Sequence, residues 1–278
     1  MELDLILKVG GSCISDKTLL YKAMKTESPE DIKAALDIDL NKIDLIAAEI
    51  GKAYSIMNKV IILTGVGSPG HFTVLKHKLH KGNSGDLEQH LGLLEAQIAV
   101  NRLRQSILES FLRNKIPAFQ AYASSIYESD KMRVIKGDIG NIKRFLESGL
   151  VPVISGDMVP DVTMGYSVLS GDQILADLAK KFKPKKIVYG SDIDGIFDSD
   201  PKLNPNSSLI PKISRNEIDS LIDQISGEDA SGQMRGKIME IRNLLDAGFK
   251  DILLLNLTKR GILSRALNNE DVPYTRFY

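Results

Sequence analysis

Two lysines flank a glycine turn near the start of the sequence. Lys8 lies near the end of the apolar run 5–9, residues 10–12 read Gly-Gly-Ser, and Lys17 comes nine residues after Lys8. Glycines allow backbone N–H groups to approach an anion closely, and lysine ammonium groups can neutralise phosphate oxygens. The pattern predicts a buried strand that ends in a phosphate-binding turn. The alternative is a purely structural strand with an incidental lysine and a glycine loop.

Four further glycine-containing turns occur along the chain. Three follow short apolar runs that we predict to be buried strands, and one opens a predicted helix. The turns are residues 65–71, 155–157 and 190–195 after strands, and 170–172 before the helix. Since ligands bind at the carboxyl ends of the strands of a parallel sheet, these turns are expected to line one anion-binding cleft.

The residues near these turns suit phosphoryl transfer. That reaction asks for little covalent chemistry from a protein, but it needs in-line positioning and positive charge against the transferring oxygens. Lys8, Lys17 and Lys237 are the candidate cations, and Arg235 is a further one. Asp172, at the start of a predicted helix, is the candidate that would hold the lysine ammonium groups in place.

Other nucleotide-binding signatures are absent or incomplete. The sequence contains no GxxxxGK[ST] pattern and no HRD or DFG signature of the protein kinases. Residues 65–70 match GxGxxG by letters, but Pro69 and Gly70 stand where a dinucleotide fold opens its helix. Dinucleotide binding is therefore the weaker alternative. His71 follows directly, either as a binding residue or as a solvated loop histidine.

Composition bounds the class of protein. The 278 residues are 43% hydrophobic and 26% charged, with 36 basic and 36 acidic side chains, so no net charge draws the chain to nucleic acid or membranes. No apolar run is long enough to span a membrane, and no signal peptide is recognisable. The single cysteine, Cys13, suits a reducing compartment. We expect a cytoplasmic protein.

Strands alternate with helices along the chain, which predicts an α/β fold with a mostly parallel central sheet and helices on both faces. Helices are predicted at 40–54 and 87–113, a loop at 18–31, a loop or lid at 72–85, and an edge strand in the last residues. The second helix has an apolar face that we expect to line an alkyl pocket. That face comprises Leu91, Leu94, Ile98, Leu103, Ile107 and Phe111.

Six motifs together resemble the amino acid kinase superfamily, and within it the isopentenyl phosphate kinase group, over nearly the whole chain. In the order of the chain they are Lys8-Val-Gly-Gly-Ser12 with Asp16-Lys17, Gly65 to His71, Val151-Pro-Val-Ile-Ser-Gly-Asp157, Ser167-Val-Leu-Ser-Gly-Asp172, Ser191-Asp-Ile-Asp-Gly195 with Asp200-Pro201 and Pro205, and Asp229-Ala-Ser-Gly-Gln-Met-Arg-Gly-Lys237.

This resemblance implies a three-layer αβα sandwich that uses ATP and Mg²⁺. It is expected to form one domain of two lobes, with the acceptor bound by about 1–180 and the nucleotide by about 181–278. A homodimer is also expected, and no metal ligands are assigned to the protein. The implied site residues fall into three groups: Lys8, Lys17 and Asp172 for catalysis; Val66, Gly70, His71 and Gly156 for the acceptor; and Lys8, Gly10, Gly11, Ser12, Gly67, Ser191, Asp192, Gly232 and Lys237 for ATP.

The chain departs from the pattern of that group at Thr64, Val66, Pro69 and Gln233. Thr64, Val66 and Pro69 lie in or directly before the turn 65–71, which contacts the acceptor in that group. These three departures therefore bear on the substrate more than on the reaction. The leading hypothesis is ATP-dependent conversion of isopentenyl phosphate to its diphosphate. A kinase that acts on fosfomycin-type phosphonates is the alternative enzyme. A non-catalytic nucleotide-binding or anion-storage protein is the alternative from another class.

Overall fold

The structure is a computed structural model that describes residues 2–199, 201, 204, 206–228 and 233–278. Its strands form three sheets. In chain order they are β1 (Leu5–Val9), β2 (Val60–Thr64), β3 (Ala118–Ala121), β4 (Tyr127–Asp130), β5 (Arg133–Gly137), β6 (Val151–Ser155), β7 (Asp157–Asp161), β8 (Gly165–Leu169), β9 (Lys186–Ser191), β10 (Ile196–Phe197), β11 (Leu209–Ile210), β12 (Lys212–Ile213), β13 (Ile252–Asn256) and β14 (Tyr274–Phe277).

The large sheet has the strand order β12-β14-β13-β9-β1-β2-β6-β3. Every neighbouring pair from β13 to β3 is parallel, and β14 runs antiparallel to β13. The mostly parallel sheet predicted from the sequence is therefore confirmed. The expected edge position of the last strand is wrong, because β12 pairs with the outer side of β14.

Helices connect these strands. In chain order they are α1 (Gly11–Ile14), α2 (Lys17–Thr26), α3 (Pro29–Leu36), α4 (Leu40–Tyr54), α5 (Gly67–Lys76), α6 (Leu87–Arg113), α7 (Gly140–Glu147), α8 (Gly171–Phe182), α9 (Ile218–Glu228), α10 (Gln233–Asp246) and α11 (Ile262–Leu267). Helices α4 and α6 have the predicted bounds. Within the described part of the chain, no helix is long and apolar enough to cross a membrane.

The two predicted loops are largely helical. Residues 18–31 fall in α2 and α3, which begin at the caps Asp16 and Ser28; each cap side chain accepts a backbone N–H of the first turn. Residues 72–85 begin inside α5 and continue into a 3₁₀ turn. Phe72 and Leu79 are buried there, so this segment packs into the fold.

The central strands bury both faces, which makes the fold a three-layer αβα sandwich. In β1, Ile6 packs into one core while Leu5, Leu7 and Val9 pack into the other, as the alternation of side chains along a strand requires. Helices α7, α8, α9 and α10 cover the first face, and α4, α6 and α11 cover the second. The carboxyl ends of the parallel strands are left open for a site.

A second sheet of four strands, in the order β5-β4-β7-β8, lies beside that open end. It consists of two antiparallel hairpins, β4–β5 and β7–β8. Strand β7 begins at Asp157, directly after the turn that ends β6. The second sheet is thus a direct continuation of one of the glycine turns.

The glycine turns approach one another at the distance of backbone contact. The N–H of Gly10 donates to the carbonyl of Gly190 over 2.9 Å, and the N–H of Gly65 donates to the carbonyl of Val9 over 2.8 Å. A Cβ added at Gly65 would lie 2.5 Å from the backbone nitrogen of Gly11. Glycine at position 65 is therefore required by this close approach.

We expect Gly65→Ala to lower the free energy of unfolding by about 1–3 kcal/mol, because the added carbon overpacks a backbone contact. Gly236→Ala is the matched control. Gly236 lies inside α10 with open space at the Cβ position, so alanine should raise the stability by about 0.5–1 kcal/mol. Urea unfolding of both variants measures the difference, and equal stabilities would contradict the close approach.

Candidate active site

A cavity of about 460 Å³ opens at the carboxyl ends of β1, β2, β6 and β9, and we call it the cleft. All site residues implied by the family resemblance that the structure describes line it, whereas Arg235, the further candidate cation, does not. Those that line it are Lys8, Gly10, Gly11, Ser12, Lys17, Val66, Gly67, Gly70, His71, Gly156, Asp172, Ser191, Asp192 and Lys237. Gly232 lies outside the described residues. The structure thus brings together side chains that are spread over more than 200 residues of sequence.

Lys8 enters the cleft from the central strand β1. It pairs in register with Leu63 on one side and Tyr189 on the other, and its side chain is almost fully buried. Its ammonium forms an ion pair with the carboxylate of Asp172 in the first turn of α8. Asp172 therefore holds the ammonium group of Lys8, as the sequence predicts.

Lys237 adds a second buried ammonium from α10. Burial lowers the pKa of Lys237, and the nearby charges of Lys8 and Lys17 lower it further, whereas Asp172 opposes the shift. Lys17 lines the cleft from the start of α2. The cleft therefore concentrates positive charge, which an anionic ligand would stabilise.

The turn after β2 adopts an ordinary backbone conformation at Val66, with φ −90° and ψ −2°. Only Gly67 has a positive φ, of 57°. Pro69 lies in the first turn of α5, where a backbone N–H has no intrahelical partner. The departures at positions 66 and 69 are thus compatible with the fold of this turn.

Two serines tie the first glycine turn to the second. Ser15 Oγ accepts the N–H of Ser68 over 2.8 Å and donates to the carbonyl of Gly11 over 3.0 Å. The hydroxyl of Ser68 donates to the carbonyl of Asp16 over 2.7 Å. These bonds join the segment that carries Lys17 to the start of α5. The sequence analysis did not single out either serine.

His71 lies on α5 and lines the cleft, so the alternative of a solvated loop histidine is wrong. Burial, followed by the positive charges of Lys17 and Lys8, lowers the pKa of His71 to about 4. The imidazole is therefore neutral at neutral pH and presents one N–H donor and one acceptor.

The end of the cleft beside His71 is apolar. The side chains that line it there are Leu20, Val74, Ala96, Val100, Met158 and Val168. The expectation that the six apolar residues of α6 line the pocket is wrong, because none of them lines the cleft. Leu91, Leu94 and Ile98 are about half exposed to solvent, and the other three are buried in the core between α6 and the large sheet. Hydrophobic periodicity located the helix correctly, but small residues on another face of it meet the cleft.

A buried arginine supports the turn that ends β6. Arg104 of α6 donates to the hydroxyl of Ser155 over 2.6 Å and to the carbonyl of Gly156 over 3.3 Å. Its guanidinium also pairs with the carboxylate of Asp157 at 3.1 Å. Arg104 was not predicted from the sequence. Its spacing of four residues from Val100 was the available signal that it shares the inward side of α6.

A second cavity of about 650 Å³, which we call the side cavity, adjoins the cleft at Lys17, Asp192 and Met234. Ile193, Ile196 and Phe197, around the start of β10, form apolar walls in it. Among the described residues, no group of three or more acidic, histidine or cysteine side chains could hold a metal ion.

Comparison with known proteins agrees with this geometry. The model of the amino acid kinase family matches residues 5–256. The isopentenyl phosphate kinase of Methanothermobacter thermautotrophicus is 32% identical over 278 residues, covering 98% of each chain. The isopentenyl phosphate kinase of Methanocaldococcus jannaschii is 33% identical over 275 residues, covering 95% of each chain.

A solved structure is similar over the same extent. An X-ray structure of an isopentenyl phosphate kinase superposes with a TM-score of 0.78 at 30% sequence identity. The match covers 98% of this chain and 99% of that chain. The strand order, the cleft and its glycine turns therefore belong to an architecture with relatives of known structure.

The neutral state of His71 predicts a stability that depends on pH. The folded-state pKa of about 4 lies below the unfolded value of 6.5, so the unfolded chain binds more protons between these values. Stability should therefore fall as pH drops from 6.5 towards 4, by up to about 3 kcal/mol from this group. His71→Gln, which cannot titrate, should lose that component in pH-dependent urea unfolding. An NMR-detected pKa near 6.5 would contradict it.

Proposed function

The chain belongs to the amino acid kinase family, and we propose that it is a kinase that converts isopentenyl phosphate and ATP to isopentenyl diphosphate and ADP. One observation carries this proposal. The same cleft joins a charged end, with Lys8, Lys17 and Lys237, to an apolar end across His71. An acceptor with a phosphate head and a short hydrocarbon chain fits this order of surfaces.

The lysines would act on the transferring group. An oxygen of the acceptor phosphate attacks the γ-phosphorus of ATP, the bond from that phosphorus to the bridging oxygen breaks, and ADP leaves. Lys17 would stabilise the charge that develops on the equatorial oxygens, with Lys8 held beside it by Asp172. A positioned cation stabilises the charge of the transition state more strongly in a cleft with little water than it would in bulk water.

His71 would bind the phosphate of the acceptor. Its neutral imidazole can donate an N–H bond without adding a further positive charge next to Lys17 and Lys8. Backbone N–H groups at Val66 and Gly156 would assist, and Gly70 lets the side chain of Val66 pack closely on α5, since a Cβ there would lie 2.6 Å from Val66. Direct hydrogen bonds to a charged group are strong enough to set the affinity.

ATP would enter from the side cavity, with its phosphates at the glycine turns. The residues that would contact them are Gly10, Gly11, Ser12, Gly67, Ser191, Asp192, Gly232 and Lys237. The apolar walls of the side cavity suit the nucleoside. Mg²⁺ would be held mainly by phosphate oxygens and water, as is usual for this ion, and when bound it would neutralise charge on the nucleotide. In this arrangement the lobe of about 1–180 would bind the acceptor and the lobe of about 181–278 would bind the nucleotide, whose phosphates the glycine turns of the first lobe also contact.

Two finer points complete the proposal. We place the protein in the cytoplasm, on the strength of its single cysteine. We also propose a homodimer, since Leu87, Leu91, Leu94 and Ile98 form an exposed apolar stripe along one face of α6. Such stripes on a monomer commonly mark an interaction surface.

Coupled measurement of ADP release tests the reaction. The acceptors are isopentenyl phosphate, dimethylallyl phosphate, fosfomycin, carbamate and acidic amino acids, each with ATP and Mg²⁺. We expect turnover of isopentenyl phosphate. Lys17→Ala should lower kcat by about 100-fold or more. His71→Ala should raise the KM of the acceptor by about 10- to 100-fold, because a bond to a charged group is lost, and it should leave the KM of ATP nearly unchanged.

Lys180→Ala, at an exposed lysine of α8, is the matched control and should retain wild-type kinetics. Turnover of fosfomycin alone would support the same phosphoryl transfer but would show that the acceptor is a phosphonate and not isopentenyl phosphate. ADP release with no acceptor, or none with any acceptor, would overturn the proposal in favour of a nucleotide-binding protein.

Sedimentation equilibrium tests the homodimer. Leu91→Glu together with Ile98→Glu should convert the dimer to a monomer, because two carboxylates would have to be buried in the interface. Ile56→Glu is the control, since Ile56 is equally exposed but lies after α4. A wild-type monomer, or a dimer that survives the double substitution, would exclude this surface.

A further inference from the structure

The β4–β5 hairpin has an unusual turn. Its central residues, Lys131 and Met132, both have positive φ, at 49° and 65°. Two-residue hairpin turns of this hand strongly favour asparagine and glycine, and a left-handed backbone strains side chains such as those of lysine and methionine. The fold must therefore hold this turn from outside, and strained turns concentrate at functional sites.

Asp161, at the end of β7, holds the turn. Its carboxylate accepts the N–H of Met132 over 2.9 Å and the N–H of Lys131 over 3.2 Å. Burial alone would raise the pKa of Asp161, but these and other hydrogen bonds outweigh it, so the pKa lies well below its usual value. The carboxylate is buried and stays charged, which fixes the hairpin in one conformation.

The strained turn delivers Arg133 into the cleft. Arg133 is the next residue in the chain, and its Nη1 lies 2.6 Å from Oε1 of Glu240 on α10. Both residues line the same cavity as Lys8 and His71. The Glu240 side chain is 9% exposed, and its second oxygen accepts a bond from Asn243. An almost buried carboxylate is costly to leave without its cation.

This ion pair connects two parts of the site that are far apart in the sequence. On one side the hairpin belongs to the second sheet, whose strand β7 begins at Asp157, directly after Gly156. On the other side Glu240 lies three residues after Lys237 on α10. Residues three apart share one face of a helix. The contact therefore links the helix that carries Lys237 to the sheet that follows the Gly156 turn.

We infer that Arg133 is a positioning residue for phosphoryl transfer: its ion pair with Glu240 closes the cleft between the second sheet and α10, and positions Lys237 against the phosphates of ATP. This inference rests on the proposed function. A merely structural surface pair would behave differently, and the chain contains one for comparison. Arg113 pairs with Asp44 at the same 2.6 Å, with the arginine 53% exposed as against 54% for Arg133, but neither residue lines the cleft.

A double-mutant cycle on kcat tests the role. Arg133→Gln and Glu240→Gln should each lower kcat by about 100-fold or less, as misplacement of a catalytic group does, with little change in either KM. The combined variant should be no worse than the single variants, because the interaction is already lost. Arg133→Lys should restore part of the loss. The cycle of Arg113→Gln and Asp44→Asn should leave kcat unchanged.

A second readout needs no turnover. Spin labels at Ile135→Cys in β5 and Ala247→Cys after α10, two exposed positions, report the distance across the cleft by pulsed EPR. Cys13 is buried, and burial raises its pKa to about 12, so it does not compete for label. The distribution should be narrow in the otherwise wild-type chain and broad with Arg133→Gln.

The two proposals can fail separately. Absence of turnover with every acceptor, together with a broadened distance in Arg133→Gln, would overturn the function and keep the contact. Normal turnover in wild type with additive losses, unchanged kcat in the single variants, or an unchanged distance distribution would overturn the role of Arg133.

Discussion

The burial of one ammonium in the central strand governs the rest of this site. Lys8 lies between two apolar strands, where an unpaired charge would be strongly unfavourable, and Asp172 in the first turn of α8 compensates it. A buried ion pair is weak evidence for stability, since apolar residues of similar size often serve better. Its presence in the middle of the sheet is explained by the cation it delivers to the cleft. Helix α8, which carries Asp172, packs through its buried apolar side chains into the same core as Ile6 of β1.

The rigid groups and the charged groups of the cleft come from different parts of the fold. Backbone contacts between the glycine turns, with the bonds of Ser15 and Ser68, set distances that leave no room for a side chain. The cations come from strands and helices behind those turns. Arg104 supports the turn after β6 from α6, the same helix whose Ala96 and Val100 meet the apolar end. In the proposed complex, the phosphate and the hydrocarbon chain of the acceptor would contact elements that pack on each other.

Much of this architecture could be predicted from sequence, for local reasons. The strands were short apolar runs, and α4 and α6 had helical periodicity. Helices α2 and α3 were missed because residues 18–31 are mostly polar, so no clear apolar period follows the N-cap residues Asp16 and Ser28. The β4–β5 hairpin was missed because Lys131 and Met132 carry no turn signal. Which face of α6 meets the cleft, and which carboxylates pair with Arg104 and Arg133, depend on tertiary contacts that periodicity does not contain.

The arrangement at one end of the large sheet has a consequence for behaviour at high concentration. Strand β14 runs against the parallel set, and the outermost strand, β12, consists of two residues. A long, flat, unpaired edge offers a template on which another chain can add a strand and begin to aggregate. An edge strand of two residues presents too few free backbone groups for that. This edge of the sheet therefore resists pairing with a strand of another molecule.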